Sequence, residues 1–215
     1  MGGKDMNRRL FLYGTLLTLI PKIAAAAPKG LSVVRGQPVI DESKKGKLRI
    51  RVERKHTIVT LNKNAFLISP DTEVFLEQDE GLLLETIRLV SGAIHSTFDP
   101  SQNNKRSVAT PHATIAIRGT AQYTEIQKDH DRTYSCCCYG HIHVSANQSS
   151  NSETQKTTYH DARVIEANGE IAVAPYNVPL NHYDNTLEYL ESLNGRKPRW
   201  ERPDPPPGFI SPFEL

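Results

Sequence analysis

One stretch decides how the rest of the chain is interpreted: Val108-Ala109-Thr110-Pro111-His112-Ala113-Thr114-Ile115-Ala116-Ile117-Arg118-Gly119-Thr120. Residues 112–117 predict a β-strand, which runs without a break into Arg118-Gly119-Thr120. Gly119 allows a backbone geometry that is barred to residues with a Cβ atom. We expect Arg118 to cap carbonyls or pair with an acid, and Thr120 to hydrogen-bond a neighbouring loop. All three residues are therefore assigned structural roles.

On both sides of this stretch, apolar and polar residues alternate with the period of a β-strand. The clearest case is Lys47 to Glu53, in which Leu48, Ile50 and Val52 share one face. Further short strands are predicted at 56–61, 65–69, 72–77, 83–90, 93–98, 121–127, 132–139, 141–146, 157–160, 163–167 and 171–174. This pattern predicts an all-β domain over residues 27–176, either a β-sandwich or a β-solenoid.

Polar stretches separate several of these strands. Residues 99–106 and 147–156 are predicted to be loops, because they are rich in turn-forming and polar residues. Asn168-Gly169 predicts a hairpin turn, since both residues tolerate a positive φ.

One short helix is predicted within residues 181–195. Asp184 can cap a helix from Asn185 to Asn194, and Gly195 is suited to a left-handed stop. Its apolar stripe consists of Leu187, Leu190 and Leu193. Such a short helix needs to pack against the β domain to be stable.

Residues 196–215 form a Pro-rich tail with an extended segment around 203–207. Trp200, Phe209 and Phe213 can pin this tail to the domain. Alternatively, the tail is a disordered terminus.

The first 26 residues resemble a twin-arginine export signal. Arg8, Arg9 and Phe11 match its core, and a modest apolar run over 10–23 follows. Small residues at 24–26 predict cleavage near Ala26 and a periplasmic mature protein. An ordinary secretory signal and an uncleaved anchor are the alternatives.

Charge and cysteine usage exclude two classes of protein. Beyond residue 26 the chain has 22 basic and 23 acidic residues, so there is no electrostatic basis for binding nucleic acid. No other stretch is apolar enough to span a bilayer. The three cysteines are consecutive, Cys136 to Cys138, which does not suit a disulfide framework.

Two further segments place a glycine between two strands. One is 89–96, with Gly92, and the other is 138–145, with Gly140. Together with the intervening segment T-P-x-A-x-x-x-I-R-G-T, their order over residues 48–146 resembles the FecR domain.

The resemblance implies a regulatory role. FecR regulators sit in the inner membrane and relay an iron–siderophore signal from an outer-membrane receptor to a sigma factor. They carry a cytoplasmic segment and a membrane helix, which we do not expect here, and the chain is more similar to stand-alone exported FecR proteins. We therefore predict a non-catalytic binding or sensing module, linked to envelope or iron-related signalling, whose partner is an envelope protein or polymer.

The most unusual stretch is Tyr134 to His143, which holds all three cysteines. Strand alternation places Cys136 and Cys138 on one face, with Tyr134, Ile142 and Val144. The opposite face then carries Ser135, Cys137, Tyr139, His141 and His143. A turn or bulge at Gly140 would change this sorting for the residues after it.

The stretch has three alternative interpretations. In the first, the cysteines are small core residues. In the second, a transition metal (copper, zinc or iron) is bound by Cys137, His141, His143 and His160. Asp161 is then available to hydrogen-bond the His160 ring from outside the site. His95 holds the equivalent place in the first strand–Gly–strand segment and is expected nearby.

The third interpretation is a thiol redox or hydrolytic enzyme. Cys137, His160 and Asp161 provide the residue types of a thiol hydrolase. The sequence contains no nucleophile-elbow signature that would support this chemistry.

Overall fold

The computed structural model describes residues 30–43, 47–79, 83–102, 105–118, 121–175 and 180–201. The export signal with Arg8, Arg9 and Phe11 lies outside the described residues, as do Gly119, Thr120 and tail residues 202–215. The division of the chain at residues 26, 176, 181 and 195 stays a prediction.

The described residues form fifteen strands, one 3₁₀ turn (Lys128–His130) and one α-helix, α1 (Asp184–Ser192). The strands are β1 (Leu31–Arg35), β2 (Val39–Ser43), β3 (Lys47–Val52), β4 (Thr57–Leu61), β5 (Asn64–Ile68), β6 (Thr72–Gln78), β7 (Leu84–Ser91), β8 (Ala93–Thr97), β9 (Arg106–Ala109), β10 (Ala113–Ile117), β11 (Ala121–Gln127), β12 (Arg132–Ala146), β13 (Ser152–Thr157), β14 (Asp161–Glu166) and β15 (Ile171–Val173). The predicted all-β class with one C-terminal helix is confirmed.

The strands join into one curled sheet with the order β1-β4-β5-β8-β11-β12-β10-β9-β7-β6-β3-β2. β13 and β14 also pair with β12, and β15 pairs with β14. Its two halves are called the first layer (β1, β4, β5, β8, β11, β14, β15 and the start of β12) and the second layer (β2, β3, β6, β7, β9, β10, β13 and the end of β12). Both layers contribute side chains to one apolar core, as expected for a sandwich.

The alternation in β3 shows why these residues form strands. Leu48, Ile50 and Val52 point into the core and are buried. On the other face, Arg49 pairs with Glu73 of β6. Burying each such aliphatic side chain contributes about 1.5–3 kcal/mol, so the alternation fixes which face of the strand is inside.

Glycines mark two places where the chain passes between the layers. Gly92, with φ +77°, separates β7 of the second layer from β8 of the first. Gly140, with φ +100°, lies within β12, which pairs with β11 and β14 before this point and with β10 and β13 after it. The two predicted strand–Gly–strand units are thus equivalent corners of the fold. Arg118 directly follows β10 and is exposed, and its backbone N–H donates to the carbonyl of His141 (3.0 Å).

The corner at Gly140 changes the sorting of side chains along β12. Before it, Cys136 and Cys138 lie on the outer face of the first layer, and Cys137 points into the core. After it, Ile142 and Val144 join Cys137 in the core. The sequence-based sorting is therefore right for the cysteines and wrong from Tyr139 onwards, since Tyr139 lies with Cys138 on the outer face. A register irregularity opposite residues 137–139 inverts the alternation.

Some sequence-based assignments of elements need correction. Residues 152–156, predicted as loop, form most of β13, a polar edge strand in which half of the residues are exposed. Of the strand predicted at 157–160, only Thr157 lies in a strand. Strands β1 and β2 were not predicted. Asp184 does not precede the helix but lies in its first turn, after Tyr183 at the N-cap.

Helix α1 and the residues around it cover the outer face of the first layer. Apolar residues of this face pack with Leu187 of α1 into what we call the outer cluster: Ala93, Ala121, Tyr123, Tyr134, Cys136, Cys138, Tyr139, Val164, Ala174 and Leu187. Leu190 packs beside it on Ile58 and Ala65, and Trp200 contacts its rim. Gly195, with φ +67°, adopts the left-handed conformation predicted for the helix stop. None of the helices described reaches the length and apolarity that crossing a bilayer requires.

Replacing Gly92 by alanine tests the corner. A Cβ atom there would lie 2.1 Å from Thr72 Oγ1 and 2.8 Å from Thr72 Cα, so backbone must shift. We expect Gly92→Ala to lower the free energy of unfolding by about 3 kcal/mol or more, measured by chemical denaturation. The control is Gly195→Ala, which has a similar φ but nothing within 4 Å, with an expected loss of about 1–2 kcal/mol. Equal losses for the two variants would contradict the steric role of this corner.

Candidate functional site

Four buried or nearly buried side chains meet on the outer face of the first layer. Cys136 and Cys138 come from β12, His160 from the connection between β13 and β14, and His182 from the segment before α1. Their potential ligand atoms all lie within 4.8 Å of one another. We call these four residues the Cys/His cluster.

Local structure positions each member. Cys136 and Cys138 share a face because strand side chains alternate. His160 is held in the turn after β13 by its backbone N–H, which donates to the carbonyl of Cys138 (2.9 Å). His182 follows Leu180, whose backbone N–H donates to the Tyr134 hydroxyl (3.2 Å).

Hydrogen bonds fix how the two imidazole rings face the cluster. His160 Nε2 lies 3.0 Å from Asp184 Oδ1, and the Tyr159 hydroxyl donates to Asp184 Oδ2 (2.8 Å). His182 Nδ1 lies 2.6 Å from the carbonyl oxygen of Leu180. Since both oxygens accept, these outer ring nitrogens carry the protons. The inner nitrogens, His160 Nδ1 and His182 Nε2, face each other at 3.3 Å.

Aromatic rings enclose the cluster. The His182 ring stacks on Tyr123, with ring centroids 4.4 Å apart and planes at 9°. His95 meets His182 edge-on (5.3 Å), and Trp200 lies over His160 (6.1 Å). Little water can therefore reach the sulfur and nitrogen atoms, which strengthens the electrostatic interactions among them.

These interactions shift two of the groups towards an ion pair. Burial alone would lower the pKa of His160, but hydrogen bonds to Asp184 and Cys136 and their negative charges raise it to about 9. Burial alone would raise the pKa of Cys136, yet hydrogen bonds with Cys138 and the two histidines, and the charge on His182, bring that pKa well below its usual range. His160 Nδ1 lies 3.4 Å from Cys136 Sγ, a distance that suits an imidazolium next to a thiolate.

The other thiol and a fifth residue behave differently. Burial and the neighbouring Cys136 raise the pKa of the Cys138 thiol. Burial and the charges on His182 and His160 keep the pKa of His95 well below its usual range, so its ring is neutral. His95 Nε2 lies 3.5 Å from Cys138 Sγ, and His95 Nδ1 has no hydrogen-bond partner among the residues described.

The structure places the four ligands proposed from sequence in different surroundings. His160 belongs to the cluster, but Cys137 points to the opposite face of the layer. His141 and His143 follow the corner in β12, where His143 is exposed and bonds Thr154 (2.8 Å). Cys137, His141 and His143 are therefore not brought together with His160. Cys137 points into the core, and β12 has passed to the second layer by His141 and His143. His95 does lie next to the cysteines, as its place in the first unit suggested.

Sequence reasoning missed Cys136, Cys138, His182 and Asp184 as members of the site. Asp161, expected behind His160, instead pairs with Arg163, and Asp184 takes that position. Alternation did place Cys136 and Cys138 on one face, but read them as core residues. The approach of His182 depends on how residues 180–201 fold back, which no local pattern encodes.

Chemically, the cluster offers two sulfur and two nitrogen donors around one point. Such a set can hold a transition metal ion. The line Cys136–His160–Asp184 also has the order of a nucleophile, a base and an orienting carboxylate.

Among solved structures, the chain is similar to two from Parabacteroides distasonis, each provisionally described as an anti-sigma factor. One has 14% sequence identity and a TM-score of 0.49, covering 60% of this chain and 59% of that one. The other has 14% identity and a TM-score of 0.47, covering 59% and 58%. This chain thus spans less than two thirds of those proteins. No curated protein matches the chain.

The family model described as "FecR protein" matches residues 46–143, close to the range expected from sequence. That range includes both glycine corners and the two cysteines of the cluster. Residues 46–143 of this chain belong to the FecR family.

Proposed function

We propose that the chain is a non-catalytic sensing module of the bacterial cell envelope, in which the Cys/His cluster controls how firmly residues 180–201 dock on the FecR domain. One observation carries the proposal: the cluster is shared between the two parts. Cys136 and Cys138 belong to the FecR match, whereas His182 and the buried Asp184 belong to the docked segment. A change of protonation, oxidation or ligand at the cluster therefore acts directly on this contact.

Docking of the segment has consequences for the surface. Residues 180–201 cover the outer cluster, which would otherwise expose several aromatic and apolar side chains of the FecR sheet. Contacts away from the Cys/His cluster also hold the segment: Glu191 bonds Tyr139 and Arg196, and Arg196 donates to the carbonyl of Lys63. Release of the segment would present an apolar face to an envelope protein or polymer.

Membership of the FecR family supports a regulatory or signalling role for the module. A link to iron-related signalling stays a prediction, as does the location in the periplasm. Burial supports the non-catalytic assignment, since all three thiols are enclosed and offer a substrate no access.

Hydrogen exchange tests the sensing role. In Cys136→Ala, we expect backbone amides of residues 180–201 to exchange at least about tenfold faster than in the parent protein, because the cluster no longer holds His160 and His182. The matched control is Cys137→Ala, which removes an equally buried thiol one residue away on the opposite face. Similar exchange in the two variants would contradict the proposal.

A thiol enzyme is the second candidate, because Cys136, His160 and Asp184 are arranged as in a catalytic triad. The two candidates differ in thiol reactivity towards iodoacetamide. A sensing module predicts uniformly slow labelling in the folded protein and complete labelling after unfolding in denaturant. One thiol that reacts far faster than free cysteine near pH 7 would favour the enzyme and overturn the non-catalytic assignment.

Cell fractionation tests the envelope location. We expect the parent chain in the periplasm without its first 26 residues, and the variant Arg8→Lys with Arg9→Lys uncleaved in the cytoplasm. Lys4→Arg, which also keeps the charge but lies outside the arginine pair, should behave as the parent. Normal export of the double variant would show that another route is used.

A further inference from the structure

We infer that the Cys/His cluster binds one zinc ion through Cys136 Sγ, Cys138 Sγ, His160 Nδ1 and His182 Nε2. Zinc is then the ligand that the proposed sensing module responds to. This role of zinc rests on the proposed function, whereas the binding of zinc does not. The binding itself follows from the geometry, the proton positions and the surroundings of these four atoms.

The spacing of the donors fits a tetrahedral site. Zinc lies about 2.3 Å from thiolate sulfur and about 2.0–2.1 Å from imidazole nitrogen, so neighbouring donors are about 3.3–3.8 Å apart. His160 Nδ1 lies 3.4 Å from Cys136 Sγ and 3.3 Å from His182 Nε2. All four donor atoms lie within 4.8 Å of one another, which small side-chain rotations can close to a tetrahedron.

The proton positions favour a cation at this point. Asp184 and the carbonyl of Leu180 hold the protons on the outer nitrogens of His160 and His182. When both rings are neutral, two lone pairs face each other at 3.3 Å beside Cys136 Sγ. That arrangement is repulsive unless a proton or a metal ion lies between them, and a metal ion can satisfy both nitrogens and both sulfurs at once.

Groups behind the donors match those of zinc sites. Asp184 accepts from His160 and is itself fixed by Tyr159, which gives the carboxylate–histidine arrangement that orients metal-binding imidazoles. The Leu180 carbonyl does the same for His182. On the sulfur side, His95 Nε2 lies 3.5 Å from Cys138 Sγ, where an N–H would stabilise a thiolate.

The donor set and its enclosure select zinc among transition metals. Two sulfur and two nitrogen donors in a tetrahedron are typical of zinc, and four protein donors leave no open position for a substrate. The cluster is closed by His182, Tyr123 and Trp200, so zinc enters when residues 180–201 are released. Binding then links metal supply to docking of the segment.

The first measurement is the metal content and zinc affinity of the purified protein. We expect about one equivalent of zinc per chain, removable by a strong chelator and restored by adding zinc. Substitution by Co²⁺ should give the absorption spectrum of a tetrahedral site with thiolate ligands. Absence of bound zinc after reconstitution under reducing conditions, or preferential retention of copper or iron, would overturn the assignment.

Variants then test the named ligands. Cys136→Ala should lose zinc, whereas Cys137→Ala should keep one equivalent. Asp184→Asn retains all four donors but weakens the support of His160, so we expect about a 10–100-fold weaker zinc affinity. Circular dichroism checks that each variant is folded. If a variant does not fold, the Co²⁺ spectrum of the parent protein still tests whether thiolates bind the metal. Unchanged zinc binding in Cys136→Ala would show that these ligands are wrong.

Hydrogen exchange of the parent protein with zinc and after chelation separates this inference from the proposed function. We expect chelation to speed exchange in residues 180–201. If zinc binds but exchange is unchanged, the site is real and the sensing function fails. If no zinc binds but Cys136→Ala still loosens the segment, the sensing function stands and the zinc assignment fails.

Discussion

One strand, β12, carries the constraint on which the rest of the molecule depends. Its fifteen residues pair with β11 and β14 in the first layer and with β10 and β13 in the second, so a single backbone ties both halves of the sheet together. To serve both layers the strand turns at Gly140, and the register irregularity just before it, at residues 137–139, inverts the alternation of its side chains. The inversion places Cys136 and Cys138 outside the core while Ile142 and Val144 fill it.

The second constraint is electrostatic. Asp184 is buried, and a buried carboxylate is costly unless its oxygens are hydrogen-bonded. His160 and Tyr159 meet that need, but in doing so they direct the second nitrogen of His160 at two thiols and another imidazole. The result is a concentrated set of donor atoms in apolar surroundings. Removing any one partner leaves the others buried without compensation, so the cluster stabilises the fold only as a complete unit.

Much of the fold could be predicted from the sequence, because alternation reports burial directly. It did so for β3, where Leu48, Ile50 and Val52 face the core, and the glycine-centred units identified the corners and the family. The polar edge strand β13 was missed, because it is a strand through its hydrogen bonds to β12 and its own residues do not alternate between apolar and polar. The site was recovered only in part. The faces of Cys136 and Cys138 followed from a local period of two, but the return of His182 and Asp184 is a long-range contact that leaves no periodic signal.

The order of the elements along the chain, with His182 after β15, also bears on biosynthesis. A ribosome completes all fifteen strands before it adds this residue, so the FecR sheet can form while its outer face is still bare. A chain that ended after β15 would keep every strand yet leave aromatic side chains and a pair of thiols open to solvent. Such a product would be prone to aggregation and oxidation. Synthesis of residues 180–201 thus decides whether the outer face of the sheet is covered.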